Sequence, residues 1–171
     1  MTDPVIDPVS RTDPAQPAFT HVDAHGAARM VDVSGKEVSV RTATATGRVF
    51  VSAGVVALLL GEGVPKGDAL AVARIAGIQA AKRTPDLVPL CHPIAIHGVD
   101  VELQVNDDHV AIRAVVRTAD RTGVEMEALT VVSVAALALV DMVKAVDPAA
   151  VITDIQVEEK TGGKTGVWRR G

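Results

Sequence analysis

The stretch TGVEMEALTVVSVAALALVDMVK, residues 122–144, has the composition of a long apolar helix. Thr122 followed three residues later by Glu125 has the spacing of a capping box, and Lys144 suits the negative end of a helix dipole. The middle of the stretch contains only two polar residues, so no solvated face is available there. We therefore expect a sheet to cover this helix on one side, and we suspect a second subunit on another.

The overall composition is that of one domain with a sizeable core. The 171 residues are 48% hydrophobic and carry a net charge of -4. With only three aromatic residues, the chain offers neither a basic groove nor a base-stacking platform for nucleic acid. No leader-like segment opens the sequence, and the apolar run is shorter than the roughly 20 residues that span a bilayer. We expect a cytoplasmic protein without a nucleic-acid partner or a membrane segment.

The first half of the chain predicts a tail, a strand and two helices. Residues 1–18 contain four prolines among Asp and Thr, which predicts a disordered tail and leaves 19–171 as a single domain. From residue 37 to 51, β-branched residues fall on alternate positions, as in a half-buried strand. Ser52 and Asp68 are the predicted N-caps of the two helices.

The second half predicts a hairpin and a last strand. The β-rich runs 94–105 and 110–118 flank a turn-like segment and should pair antiparallel, whereas the residues just before them form a proline-stiffened loop. Residues 151–157 are the predicted last strand, and 158–166 a polar tail. With the long helix between hairpin and last strand, this order favours an α+β fold, a ferredoxin-like antiparallel sheet with helices packed on one face.

Several charged residues are candidates for chemistry, and each also has a structural interpretation. Asp141 and Lys144 lie three apart on one helix face, where ion pairs are common, so on spacing alone we favour the structural interpretation. Glu125 and Glu127 lie in the first helical turn, where acidic residues are ordinary. His92 has no second His or Cys at the spacing of a zinc site, so no metal centre is predicted.

The remaining candidates are a cysteine and three lysines. Cys91 is the only cysteine, which excludes an internal disulfide, and it is most simply a small buried hydrophobe. Lys66 lies in a tight turn at a helix entrance, and Lys160 lies in the late polar segment. Lys164 follows a glycine as in a phosphate loop, but Glu158 occupies the place of the required earlier glycine, so we reject that motif.

Longer segments resemble one enzyme family. The motifs that carry the resemblance are ARIAGIQAAKRTPDLVPLCHP (73–93), TGVEMEALT (122–130) and DMVKAV (141–146). They look like the molybdenum cofactor biosynthesis protein C family, the cyclic pyranopterin monophosphate synthases. The match runs in order over roughly residues 20–166 with little gap, which is far more specific than a short motif. The family's Thr-Gly-Lys-Thr-Gly is replaced here by ADRTG, in which Arg121 keeps the charge and Asp120 is new.

The resemblance implies an enzyme, a phosphorus-oxygen lyase of early molybdenum cofactor biosynthesis. Its reaction converts 3′,8-cyclo-7,8-dihydro-GTP to cyclic pyranopterin monophosphate and releases diphosphate, with no cofactor or metal assigned. Residues 19–171 would be its catalytic domain, and catalytic roles fall on Asp141, Lys144 and Lys66. The implied substrate-binding residues are Leu90, Cys91, His92, Glu125, Met126, Glu127 and Lys160.

The resemblance also implies a hexamer, plausibly three dimers with sites shared between subunits. Glu127 and Asp141 are 14 residues apart, which is roughly 21 Å along a straight helix, so one small substrate cannot easily reach both in one chain. Two other functions stay open, a nucleotide-phosphate hydrolase and a non-catalytic scaffold. A hydrolase would need a better carboxylate cluster for Mg²⁺, and a scaffold would not need Asp141 with Lys144.

Overall fold

The structure is a computed structural model that describes residues 20–23, 25–61, 68–164 and 166–171. The predicted N-terminal tail and Lys66 lie outside the described residues. The chain divides into two units at residue 31, and in the first unit Val22 and Ala28 form an isolated antiparallel bridge. The second unit, residues 32–171, carries the helices and strands described below.

The second unit is an α+β fold with a five-stranded sheet. Its elements are β1 (Ser39–Phe50), α1 (Ala53–Leu60), α2 (Ala69–Ala81), α3 (Thr84–Leu87), β2 (Gly98–Val105), β3 (His109–Asp120), α4 (Glu125–Val143), β4 (Val151–Thr161) and β5 (Trp168–Arg169). The strand order is β2-β3-β1-β4-β5, and all neighbours are antiparallel. The first four strands have the order of a split βαβ fold, which confirms the predicted ferredoxin-like arrangement.

The alternation that predicted β1 is confirmed, and its buried side is the one with the smaller residues. Ala43, Ala45, Gly47 and Val49 are buried, whereas the β-branched residues between them are partly exposed. Small side chains on that face leave room for a helix to approach the sheet closely. Because protein interiors are close-packed, the helix fills this room. A Cβ on Gly47 would lie 2.6 Å from Val132 Cγ1 of α4, which shows how closely the helix approaches.

The long helix forms as predicted, but the capping box does not. α4 begins at Glu125 after Val124, and no side chain caps its N-terminus. The Glu125 carboxylate instead accepts a hydrogen bond from Lys160 Nζ of β4 at 2.8 Å. A charged partner brought by another strand therefore competes successfully with the local backbone N–H that Glu125 would have bound.

Two sides of α4 are covered within the chain. It packs on β1, β3 and β4 on one side and on α2 on the other. By length and hydropathy, 19 residues and 1.9, α4 alone resembles a membrane span, but 56% of the span is buried inside the protein. Its apolar character thus belongs to the core. Leu137 remains 60% exposed, and a covering second subunit remains a prediction.

The N-termini of α1 and α2 are fixed in different ways. Asp68 caps α2 as predicted, accepting a hydrogen bond from Ala71 N at 2.9 Å. Ser52 occupies the N-cap position of α1, but its side chain makes no capping hydrogen bond. Its backbone N–H donates to Asp147 Oδ2 at 2.6 Å, and this buried carboxylate also accepts from Ala149 N. Asp147 therefore ties the start of α1 to the segment after α4.

Other boundaries differ from the prediction where backbone pairing outweighs side-chain composition. The hairpin is confirmed, but its first strand begins at Gly98 rather than residue 94, and the proline loop contains the short helix α3. β4 continues through the polar segment to Thr161 because its backbone pairs with β1 as far as Thr42. β5, which we did not predict, then pairs with β4.

Charged side chains lie along the edge strand β2. Arg74 of α2 donates from Nε to the Val101 carbonyl oxygen at 3.2 Å. On the neighbouring positions, Asp100 and Glu102 form ion pairs with Arg117 and Arg113 of β3. These pairs lie on the sheet face opposite α4, because side chains alternate along a strand.

We predict that Gly47→Ala destabilises the fold by about 1–3 kcal/mol, the usual cost of overpacking a core. The added Cβ would meet Val132 Cγ1 at 2.6 Å and Ile155 Cγ1 at 3.2 Å, so α4 or β4 must shift. Urea unfolding of both proteins measures the difference. Gly54→Ala is the control, because the nearest atom to its added Cβ lies 3.9 Å away. Equal stability of wild type and Gly47→Ala would contradict the close packing of α4 on β1.

Candidate active site

The candidate residues form two groups at opposite ends of α4. The first group surrounds the N-terminus of the helix and includes Glu125, Glu127 and the loop that ends at His92. The second group is Asp141 with Lys144 at the C-terminus. Lys66 belongs to residues that the structure does not describe.

Glu125 and Lys160 form a partly buried ion pair in the first group. Their side chains are 24% and 37% exposed, and Lys160 Nζ lies 2.8 Å from Glu125 Oε1. Lys160 reaches the helix because it pairs in register with Ala43, on the face of β1 that supports α4. The pair therefore joins the sheet to the start of α4, and two predicted substrate-binding residues become direct partners.

Glu127 is a buried carboxyl group with a strongly altered proton affinity. Its residue is 3% exposed, and burial raises its pKa from 4.5 to about 7, against the lowering effect of a backbone hydrogen bond. The nearby charge of Glu125 raises this pKa further. A carboxyl with a pKa near neutrality exists in both protonation states at physiological pH, so it is able to donate or accept a proton.

The loop before β2 brings the other predicted substrate-binding residues to the same end of α4. Leu90, Cys91 and His92 are half-buried. Burial raises the pKa of the Cys91 thiol, and the charge of Glu127 adds to this shift, which indicates that thiol and carboxyl are close. Cys91 N donates to the Val88 carbonyl at 3.0 Å, which shapes the turn.

His92 and Met126 complete this group. The pKa of Asp32 is lowered mainly by hydrogen bonds from Ser34 and to a smaller degree by the charge of His92, so Asp32 and His92 are neighbours. Met126 of α4 is 39% exposed beside the buried Glu127. An exposed thioether at this position is available to contact an apolar face of a ligand.

Asp141 and Lys144 form an exposed ion pair on the last turns of α4. Lys144 Nζ lies 2.6 Å from Asp141 Oδ1, and both side chains are 58% exposed. The helix rise separates Asp141 from Glu127 by roughly 21 Å. A single chain therefore brings together the group at the helix start, but it does not bring Asp141 or Lys144 to that group.

A cleft lined by several cations lies between the start of β1 and the turn after β4, and most of its residues are absent from our predictions. The cavity has a volume of about 470 Å³ and is lined by Lys36, Glu37, Ser39, Arg41, Gly163 and Lys164. We call it the cationic cleft. Sequence reasoning missed it because its residues come from two distant segments. The one signal in the sequence is Lys164, a candidate lysine in a glycine-rich turn that does not match a phosphate loop.

Within residues 20–23, 25–61, 68–164 and 166–171, no three His, Cys, Asp or Glu side chains are grouped so that they could hold a metal ion. The carboxylates of Glu125 and Glu127 have other surroundings, an ion pair and a buried pocket respectively.

The chain is similar to one protein family and to several of its named members. Residues 30–163 match the model of the MoaC family. A Nocardioides protein called cyclic pyranopterin monophosphate synthase is 73% identical over 155 residues, 89% of this chain and 95% of the relative. A Streptomyces avermitilis protein of the same name is 71% identical over 92% of both chains. A Mycobacterium tuberculosis protein called cyclic pyranopterin monophosphate synthase 2 is 60% identical over 89% of this chain and 91% of the relative.

We predict that Glu127 makes the fold less stable as the pH rises. The native state holds the Glu127 proton up to a pKa of about 7, whereas an ordinary carboxyl loses it near 4.5. Raising the pH through this window therefore favours the unfolded chain, by up to about 3 kcal/mol. Urea unfolding at pH 5 and pH 8 should show this loss in the wild type but not in Glu127→Gln.

The matched control for this prediction is Glu102→Gln, on the exposed face of the sheet. It should keep the pH dependence of the wild type, since the ionisation of the buried Glu127 is untouched. If Glu127→Gln and the wild type lose stability in parallel between the two pH values, the Glu127 proton is not held by burial.

Proposed function

The chain belongs to the MoaC family, and we propose that it is a cyclic pyranopterin monophosphate synthase. Its substrate would be 3′,8-cyclo-7,8-dihydro-GTP and its products cyclic pyranopterin monophosphate and diphosphate, as the family resemblance implies. The Nocardioides relative that carries this name is 73% identical to the chain over 155 residues. We also propose that the enzyme acts in the cytoplasm.

One observation of the structure supports this proposal above the others, the environment of Glu127. A rearrangement of a guanine-derived ring into a pterin moves several protons, and each transfer needs a group that is able both to give and to take one. Burial gives Glu127 a pKa of about 7, in the middle of the useful range. Lys160 and Glu125 lie beside it as an ion pair, and the thiol of Cys91 is nearby.

The second half of the reaction is a phosphoryl displacement. A hydroxyl oxygen of the substrate attacks the α-phosphorus, the bond from the α-phosphorus to the bridging oxygen breaks, and that oxygen leaves with diphosphate. The hydroxyl must lose its proton to a base, and the leaving group needs cations that stabilise its growing negative charge. The displacement therefore requires one proton acceptor and several positively charged side chains.

We assign the proton acceptor of this step to Asp141. Its partner Lys144, 2.6 Å away, stabilises the ionised carboxylate by its positive charge. Lys144 and Lys66 would bind phosphate oxygens or move protons. A lysine is suited to both roles, because its ammonium is a compact charge with three donors. Leu90, His92 and Met126 would contact the substrate from the start of α4.

We further propose that each site is shared between two subunits. Glu127 and Asp141 lie at opposite ends of a 19-residue helix, so both serve one substrate if the helices of two subunits lie antiparallel, side by side. A two-fold dimer brings the start of one α4 near the end of its partner's, twice over. The exposed Leu137, in the second half of the helix, is a surface that such a contact would cover. Three dimers would form the hexamer that the resemblance implies.

The direct test incubates the purified protein with 3′,8-cyclo-7,8-dihydro-GTP and follows diphosphate and pterin fluorescence together. A synthase forms both in equal amounts. A hydrolase would release phosphate or diphosphate without a pterin, and a scaffold would release neither, so either result would remove the proposed function.

We predict that Asp141→Ala and Lys144→Ala abolish turnover in this assay while the free energy of unfolding changes by less than about 1 kcal/mol. The small effect on stability follows from the exposure of the pair, since exposed ion pairs contribute little. Asp100→Ala on β2 is the matched control, because it breaks a comparable exposed pair with Arg117 of β3. It should retain activity, and near-normal turnover of either α4 variant would refute the catalytic assignment.

A second prediction addresses the shared site by mixing two inactive variants, Glu127→Gln and Asp141→Ala. When subunits exchange freely at equal concentrations, about half of the dimers are mixed, and each mixed dimer has one intact site. Activity should therefore recover to about one quarter of the wild-type level. Each variant put through the same exchange alone is the control. A mixture that stays inactive while exchange is demonstrated would mean that each chain contains its whole site.

A further inference from the structure

Residues 94–97 connect the loop that ends at His92 to β2, and they lie beside the last residues of β3. The His97 N–H donates to the Arg117 carbonyl at 2.9 Å, which adds one backbone bond before the first residue of β2. The His97 ring accepts a hydrogen bond from Ala119 N at 3.3 Å. Nearer to the loop, the connection to β3 is made by a side chain.

That side chain is the hydroxyl of Thr118. Its Oγ1 donates to the Ala95 carbonyl oxygen at 2.6 Å, and the residue is 2% exposed. Thr118 is on the face of β3 that packs against α4, since side chains alternate along a strand. Val110 and Val116 occupy other positions of that face. Packing alone therefore does not require a hydroxyl here, because valine has nearly the same shape as threonine.

The loop with Cys91 is fixed on both sides of a very short stretch of chain. On one side Cys91 N donates to the Val88 carbonyl at 3.0 Å, and on the other the Ala95 carbonyl accepts from Thr118. Only residues 92–94 lie between these points. The ring of the proline at position 93 fixes one of its backbone angles, and the isoleucine at position 94 packs against the core. A shift of Ala95 is therefore passed on to the loop.

The strand that holds the loop also leads into α4. β3 ends at Asp120, and α4 begins at Glu125 after a connection of four residues. Glu127, in the first turn of α4, lies close enough to Cys91 for its charge to act on the thiol. The hydrogen bond from Thr118 thus joins the loop to the strand from which the start of α4 extends.

We propose that Thr118 is a positioning residue, whose hydroxyl holds the loop of Leu90, Cys91 and His92 against the start of α4. The inference rests on the proposed function, in which these loop residues contact the substrate. Thr118 acts through the loop; it touches no substrate and transfers no proton. A loop that is already ordered loses less conformational entropy when a ligand binds, so its order adds to affinity. Loss of the hydroxyl therefore weakens substrate binding more than it slows the chemical steps.

Labelling of Cys91 with iodoacetamide tests the position of the loop without substrate. Cys91 is the only cysteine, so the labelling rate reports this loop alone. Burial raises the pKa of its thiol, and the charge of Glu127 adds to the shift, which keeps the reactive thiolate scarce. In Thr118→Val the released loop should expose the thiol and lower its pKa, so labelling at pH 8 should become about tenfold faster. Thr118→Ser keeps the hydroxyl and should label at the wild-type rate.

Steady-state kinetics with 3′,8-cyclo-7,8-dihydro-GTP give a second readout. Thr118→Val should raise KM about tenfold and change kcat by less than about twofold, because binding is weakened while the groups that move protons remain. Thr118→Ser should keep the wild-type KM. Ile112→Val is the control, since it removes a buried methylene in the middle of β3, in register with Gly47 and Leu103. It should keep the wild-type KM and labelling rate although it lowers stability.

Three results would overturn the proposal. The first is an equal labelling rate in Thr118→Val and the wild type, and the second is an equal change in the valine and serine variants. The third is a parallel change in Ile112→Val, which would mean that any loss of stability opens the loop. If Thr118→Val labels faster but the wild type does not convert the substrate, Thr118 still positions the loop and the proposed reaction falls.

Discussion

The close packing of α4 between the sheet and α2 is the constraint on which the other features depend. Two glycines make it possible: a Cβ on Gly47 would lie 2.6 Å from Val132 Cγ1, and one on Gly77 would lie 3.1 Å from Val131 Cγ1. In the first turn of this helix Glu127 is buried, and its burial raises the pKa of the Glu127 carboxyl. The proton chemistry that we propose is thus a direct result of how the core is packed.

Local sequence patterns predicted those parts of the fold that are determined by interactions between residues close in sequence. The hairpin turn, the Asp68 cap and the apolar run of α4 all act within a few residues, and the structure has each of them. The failures involve partners distant in sequence. Glu125 binds Lys160, 35 residues away, rather than a neighbouring backbone N–H. The strand β5 has only two residues, and it exists because the edge of β4 offers backbone partners.

The candidate site was less accessible to sequence reasoning than the fold. Spacing alone predicts an ordinary ion pair between Asp141 and Lys144, and the structure has that pair at 2.6 Å. The catalytic interpretation of the pair comes from the family resemblance. The pKa of Glu127 is raised mainly by burial, and burial depends on packing from several elements. The residues next to Glu127 in the sequence therefore do not predict this pKa. The cationic cleft joins residues 36–41 to residues 163–164, a proximity that only the pairing of β1 with β4 creates.

The charged outer edge of β2 limits how the sheet is able to grow. A strand at the end of a sheet offers unpaired backbone groups to any extended peptide, including a partly unfolded copy of the same chain. Here Arg74 already occupies the Val101 carbonyl, and the ion pairs of Asp100 and Glu102 keep charges on the same strand. An incoming strand would have to displace the guanidinium and leave it without its acceptor. At the opposite end of the sheet, β5 pairs with Glu159 and Lys160, and Arg170 donates to the Glu158 and Val157 carbonyls. That part of the β4 edge is thus closed to a further strand by a different means.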